Sequence, residues 1–127
     1  MYLDMFMVLA GGGLGALLRY LITLAVYGDK SPAFPYGTLI VNLLGCLCIG
    51  FLAGYFHRHP ELPMFLKLFA ITGVLGGLTT FSTFSNESIG LLQGAKFGGF
   101  MVYVFGTVLL CLIGVFLRKY LGGSLQL

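Results

Sequence analysis

Charge is missing from most of this chain. Between Asp4 and Asp29 the single charged residue is Arg19, and from Ser31 to His57, from Leu68 to Asn86 and from Phe97 to Leu117 there is none. A small soluble domain leaves much of its chain exposed and carries about a quarter charged residues. Here 9% of 127 residues are charged and 58% are hydrophobic, so water cannot be the main solvent. A spanning helix takes about 20 mainly apolar residues. The runs therefore predict four spans, about residues 4–27, 36–56, 64–92 and 97–119, in an all-α membrane protein whose residues 1–127 form one four-span domain.

The connections are short. GDKSPAFP, from Gly28 to Pro35, sets a turn before Tyr36 with its glycine and prolines. HRHPELP, from His57 to Pro63, joins the second and third spans and exposes both histidines. A few residues around Gln93, Gly94 and Lys96 join the third and fourth. An even number of spans places both termini on one side of the membrane. The first span lacks the basic leader and small-residue cleavage site of a secretory signal, so it is expected to remain.

Orientation follows the Lys and Arg count in short loops. One side collects Arg58, Lys67, Arg118 and Lys119, and the other Lys30, Lys96 and Arg19 near the end of the first span. So even a balance suits both a single orientation with cytoplasmic termini and insertion in both directions as a pair of opposed subunits. The basic residues form no cluster of the kind that grips nucleic acid, which excludes that partner. Glycine, at 20 residues, recurs with GxxxG spacing at Gly11 and Gly15, Gly50 and Gly54, and Gly73 and Gly77. Such spacing lets membrane helices approach closely. Four short helices scarcely enclose a pathway alone, so at least a dimer is expected.

The third span carries GVLGGLTTFSTFSNES, from Gly73 to Ser88, with eight polar side chains at membrane depth. In hydrocarbon an unpaired polar group costs several kcal/mol, so this stretch must face protein or a water-accessible path. Glycines at 73, 76 and 77 before two threonines weaken the helix, at about 1 kcal/mol per glycine relative to alanine. A break near the centre of the span is the expectation. Broken membrane helices release carbonyls that hold small cations, and Gly76 and Thr79 are the candidates. A kink satisfied by neighbouring helices is the other reading.

Phe81 and Phe84, three apart, share a face if helix resumes beyond the break. Their ring edges carry weak positive character, and Ser82 and Thr83 between them can donate hydrogen bonds to the same anion. In the second span Thr38 and Asn42 are four apart; a lone membrane Asn cross-links helices or points its NH2 into a pore. In the fourth, Tyr103, Thr107 and Cys111 recur every four residues, a track that suits a path or interhelical bonding equally. Arg19 and Glu87 are the charges embedded in spans, and embedded charge is a functional candidate, either at a pore vestibule or as interfacial support. Cys46, Cys48 and Cys111 lack zinc or redox spacing and read as packing residues. No nucleophile triad, Walker loop or cofactor fingerprint occurs, which argues against an enzyme.

GGLTTFSTFSNE (Gly76–Glu87), PYGTLIVNLLG (Pro35–Gly45) and GGGLGALLRY (Gly11–Tyr20) resemble, in order and spacing, the Fluc/CrcB fluoride channels over essentially the whole chain. The resemblance implies a dual-topology homodimer of antiparallel subunits in the bacterial inner membrane. It implies two fluoride pathways that export cytoplasmic fluoride passively and protect against its toxicity, and a structural Na+ at the dimer centre. By position, Phe81 and Phe84 match the family's anion-contacting phenylalanines and Asn42 its pore asparagine. Ser82 and Thr83 match its Ser-Thr pair, Tyr103 and Thr107 its fourth-span polar track, and Gly76 and Thr79 the carbonyls that coordinate Na+. Cys111 falls where some relatives have a hydroxyl. Two rivals differ in their chemistry. A proton-coupled small multidrug exporter needs a carboxylate within the first span, where this chain has Asp4 only at the very start. A non-transporting assembly subunit leaves the polar third span without a purpose.

Overall fold

The computed structural model describes residues 1–28, 30 and 32–121. Among these the chain is helical, with no strand: α1 (Tyr2–Tyr27), α2 (Tyr36–Arg58), a third span built in pieces, and α6 (Phe97–Leu121). The third span comprises α3 (Met64–Lys67), a π-helical segment (Leu68–Leu75), α4 (Gly76–Leu78) and α5 (Phe81–Gln93). α1, α2, α6 and the assembled third span, Met64–Gln93, are each long and apolar enough to cross a membrane. The observed helices run a few residues beyond the predicted spans, and His57 belongs to the last turn of α2 rather than to the loop. His59 pairs with Glu61 at 3.0 Å in the turn that follows. Of the GDKSPAFP turn, Asp29 and Ser31 lie outside the described residues.

The breaks follow from local chemistry. α1 starts with Asp4 in its first turn, 3.1 Å from the terminal amine, where a carboxylate complements the helix dipole. It stops at Gly28, whose positive φ of 56° ends the helix. The Tyr27 hydroxyl then accepts the Gly37 N–H and ties this corner to the start of α2. α3 begins after Pro63, as a residue that cannot donate its N–H suits a helix entrance.

The third span is interrupted at Thr79 and Thr80, both extended, at φ −80°, ψ 157° and φ −153°, ψ 116°. The expected break is therefore present, and it falls just past the glycines: Gly76 and Gly77 remain helical, while the two β-branched residues that tolerate extended backbone take the gap.

Packing is backbone against backbone where glycine allows it. A Cβ on Gly11 would meet the Phe69 carbonyl at 2.5 Å and Gly73 Cα at 3.0 Å, one on Gly77 would overlap the Gly12 carbonyl, and one on Gly15 the Val74 carbonyl. α1 and the π-helical and α4 segments thus interlock through two of the small-residue pairs. On the other side Gly114 of α6 packs against Leu43 and Leu47 of α2. Two small buried clusters flank the break: Val41, Leu75 and Leu78 before it, and Phe84, Leu91 and Tyr103 after it. At most 22% of the most apolar stretch of any span is buried within the chain, leaving wide apolar faces for lipid or for another protein surface.

Candidate functional site

Asn42 decides the shape of the break. Its Oδ1 accepts the Thr80 N–H at 2.8 Å and its Nδ2 donates to the Thr80 carbonyl at 3.1 Å, a two-point clamp on an extended residue. Gly45, one turn further along α2, leaves room for the Thr79 methyl, which a Cβ there would overlap. Thr79 turns its own N–H and hydroxyl back to the Leu75 carbonyl, at 3.0 and 2.9 Å. The Thr80 hydroxyl then caps α5 by accepting the Thr83 N–H at 3.2 Å, and contacts the hydroxyls of Thr83 at 3.0 Å and Ser82 at 3.2 Å. A cap of this kind contributes about 1 kcal/mol.

These bonds draw two N–H groups away from the carbonyls they would meet in a continuous helix. In an unbroken helix the Gly76 oxygen would accept from Thr80 N and the Thr79 oxygen from Thr83 N. The first N–H goes to Asn42 and the second to the Thr80 hydroxyl.

Phe81 and Phe84 follow immediately, with ring centroids 5.5 Å apart and planes tilted by 44°. Phe84 is buried and packs on Tyr103 at 5.1 Å, whereas Phe81 is 77% exposed. A cavity of about 510 Å³ opens beside them, lined by Asn42, Gly45 and Cys46 of α2, by Gly76, Thr79, Thr80, Phe81 and Phe84 of the third span, and by Thr107 and Cys111 of α6. Ser82 and Thr83 are exposed next to it. Thr107 Oγ1 is, among the described residues, the buried side-chain polar atom with no hydrogen-bond partner, and Thr107 also lines a second cavity, of about 460 Å³, with Tyr103.

Glu87, one turn beyond Phe84, is held by two hydroxyls. Thr38 donates to Oε1 at 3.0 Å and Tyr103 to Oε2 at 2.7 Å. Both donors are buried, Thr38 at 5% and Tyr103 at 1% exposure, so a carboxylate accepting from them takes short, strong bonds. Glu87 also faces a smaller cavity, of about 250 Å³, lined by Pro32, Pro35, Gly94 and Lys96 at the end of the bundle. Arg19 is half-buried on α1 and joins none of these cavities; its carbonyl accepts the Thr23 hydroxyl at 2.8 Å.

The structure thus gathers Asn42, Phe81, Phe84, Thr107, Gly76 and Thr79 at one cavity, puts Ser82 and Thr83 on its border, and groups Thr38, Glu87 and Tyr103 next to it. Residues 6–119 match the family described as CrcB-like protein, Camphor Resistance (CrcB). The chain belongs to this family. It is 45% identical over 118 residues to a Bacteroides fragilis protein named fluoride-specific ion channel FluC, covering 91% of this chain and 92% of that one. Proteins of the same name are 40% identical in Phocaeicola vulgatus, over 90% of this chain and 93% of theirs, and 44% identical in Rhizobium meliloti, over 84% and 86%.

For this CrcB-family chain, sequence reasoning leaves Thr80 without a specific role, although it is the residue that Asn42 grips and that caps α5. The paired threonines after two glycines are the available signal. It also does not connect Glu87 to Thr38 and Tyr103, because those three come from three different spans. The chain is a multi-pass membrane protein.

Proposed function

We propose that this chain is a fluoride-selective ion channel of the bacterial inner membrane, through which cytoplasmic fluoride leaves passively down its electrochemical gradient and so loses its toxicity. The observation that carries the reading is the helix break itself. Beside it a phenylalanine pair, an amide and several hydroxyls meet at one cavity whose lining contains no Lys or Arg. The names of the relatives, fluoride-specific ion channels similar over most of the chain, point the same way.

Fluoride is small and strongly hydrated, so a selective path must replace its water with closely spaced donors while excluding larger halides. Asn42 spends one N–H on Thr80 and keeps a second for an anion. The unpartnered Thr107 hydroxyl and the exposed Ser82 and Thr83 hydroxyls add further donors, and the edges of Phe81 and Phe84 contribute positive character without hydration. Conduction also requires that the ion leave. A path without a fixed cationic side chain binds weakly enough for that, and movement through such contacts needs no bond-making step.

Two features of the assembly belong to the same proposal. Phe81 is largely exposed in the single chain and the loop charges are nearly balanced, which suits an antiparallel, dual-topology homodimer whose second subunit covers this face. The Gly76 and Thr79 carbonyls, deprived of their helical partners, are hard oxygen donors that fit Na+; when bound, Na+ would supply a fixed positive background between the subunits. The test is fluoride efflux from liposomes containing the purified protein. Efflux without matching chloride flux is the expected result, and equal chloride flux or none of either from a folded protein overturns it. Phe81→Ile and Phe84→Ile are each expected to cut the flux sharply while gel filtration still shows the assembled protein.

A further inference from the structure

Cys46 and Cys111 belong to different spans, yet both line the cavity beside the helix break. Both are half-buried and neither is in a disulfide. The two helices pack together along this stretch, where Gly114, almost one turn beyond Cys111, lies against Leu43 and Leu47 on either side of Cys46. The remaining thiol, Cys48, is exposed on α2 and takes no part in lining that cavity. The cavity wall carries no histidine or carboxylate. An oxygen-preferring ion would find no carboxylate in the wall, whereas two thiols lining one cavity suit a soft cation that accepts two sulfurs.

We infer that Cys46 and Cys111 form a two-sulfur site for a soft, two-coordinate metal cation of the Hg2+, Ag+ or Cu+ type. Binding is a ligand exchange without redox change: two S–H bonds break, two sulfur–metal bonds form and two protons pass to water, as thiolate ligation requires. The bound ion ties α2 to α6 and occupies the cavity that Asn42, Phe84 and Thr107 also line. Binding rests on the two thiols alone; its consequence, obstruction of the ion path, rests on the channel reading above.

Mercuric chloride is the probe. The Cys48→Ser protein, purified in detergent, is expected to retain one Hg2+ per chain through gel filtration in the presence of a competing monothiol, with both remaining thiols lost to a colorimetric thiol reagent. Adding Cys46→Ser or Cys111→Ser leaves a single sulfur ligand, and the competitor should strip the ion. Cys→Ala versions with unchanged gel-filtration profiles separate loss of the ligand from loss of the fold. Two ions per chain in Cys48→Ser, or retention by either single-thiol protein, overturns the site. In liposomes, mercury should abolish fluoride efflux by the Cys48→Ser protein and a dithiol chelator should restore it, while Cys46→Ala in that background should be insensitive; equal loss in that variant overturns the block. Absence of efflux before mercury is added would count against the channel reading and leave the binding stoichiometry to judge the site.

Discussion

The bonds of one amide hold the extended residue at the centre of the third span. Asn42 supplies both an acceptor and a donor to Thr80, and no aliphatic residue at that position can do either. Asn42→Ala would leave the Thr80 N–H and carbonyl unpaired, which is expected to destabilise the fold by about 2 kcal/mol, read as a lower unfolding midpoint in detergent. Asn42→Asp restores only the acceptor and should recover part of the loss. Glu87 is the second residue with consequences beyond its own helix. Its bond from Tyr103, at 2.7 Å, is expected to give a coupling of about 1 kcal/mol in a double-mutant cycle of Glu87→Gln and Tyr103→Phe. Additive effects of the two substitutions would show that the contact carries no energy of its own. Of these residues, Asn42 and Glu87 stand out in the sequence as polar groups in apolar runs, but their partners do not, because hydrogen bonds between spans depend on how helices rotate and dock.

At the scale of elements, the third span shows which sequence signals are local and which are not. Its weakness could be read from Gly76, Gly77 and the threonines. The position of the break could not, because it was decided by Asn42 on α2 and by the space that Gly45 leaves for Thr79. The π-helical turns of Leu68–Leu75 have no signature of their own; they arise where the span presses its backbone against Gly11 and Gly15 of α1. The end of α5 makes a sharper test. Lys96 N–H bonds to the Leu91 carbonyl at 2.9 Å and Ala95 N–H to that of Leu92 at 3.1 Å, a Schellman closure with Ala95 at φ 55°. Glycine takes that conformation without the strain a Cβ imposes. Ala95→Gly is therefore expected to stabilise the protein by about 1 kcal/mol, seen as a higher melting temperature in detergent with fluoride flux unchanged.

For the whole molecule, the exposed apolar surface is the dominant fact. Large side chains such as Phe6, Leu17, Phe105 and Leu109 are exposed on the spans, as expected where the solvent is hydrocarbon and tight packing between helices replaces the hydrophobic effect. So even a division of loop charges suits a single orientation and insertion in both directions alike, and the proposed opposed pair requires the second. Termini tagged and probed with a membrane-impermeant reagent should be found on both faces, and moving one or two lysines to a single side should bias insertion and lower flux. Tags confined to one face in the native protein would remove the opposed pair while leaving the fold of each chain untouched.

What the amino-acid order determined by itself is the part governed by transfer between phases. Charge-free runs of sufficient length must become spans, and prolines and glycines between them must become turns, whatever their neighbours do. The polar third span and its phenylalanine pair were legible for the same reason, since so many hydroxyls in hydrocarbon demand a purpose. Tertiary structure alone decided which hydroxyl meets which carboxylate, that Thr80 rather than a glycine is clamped by Asn42, and that two distant cysteines share one cavity. Those outcomes depend on helix rotation and close approach, which summed over many weak contacts leave no periodic trace along the chain.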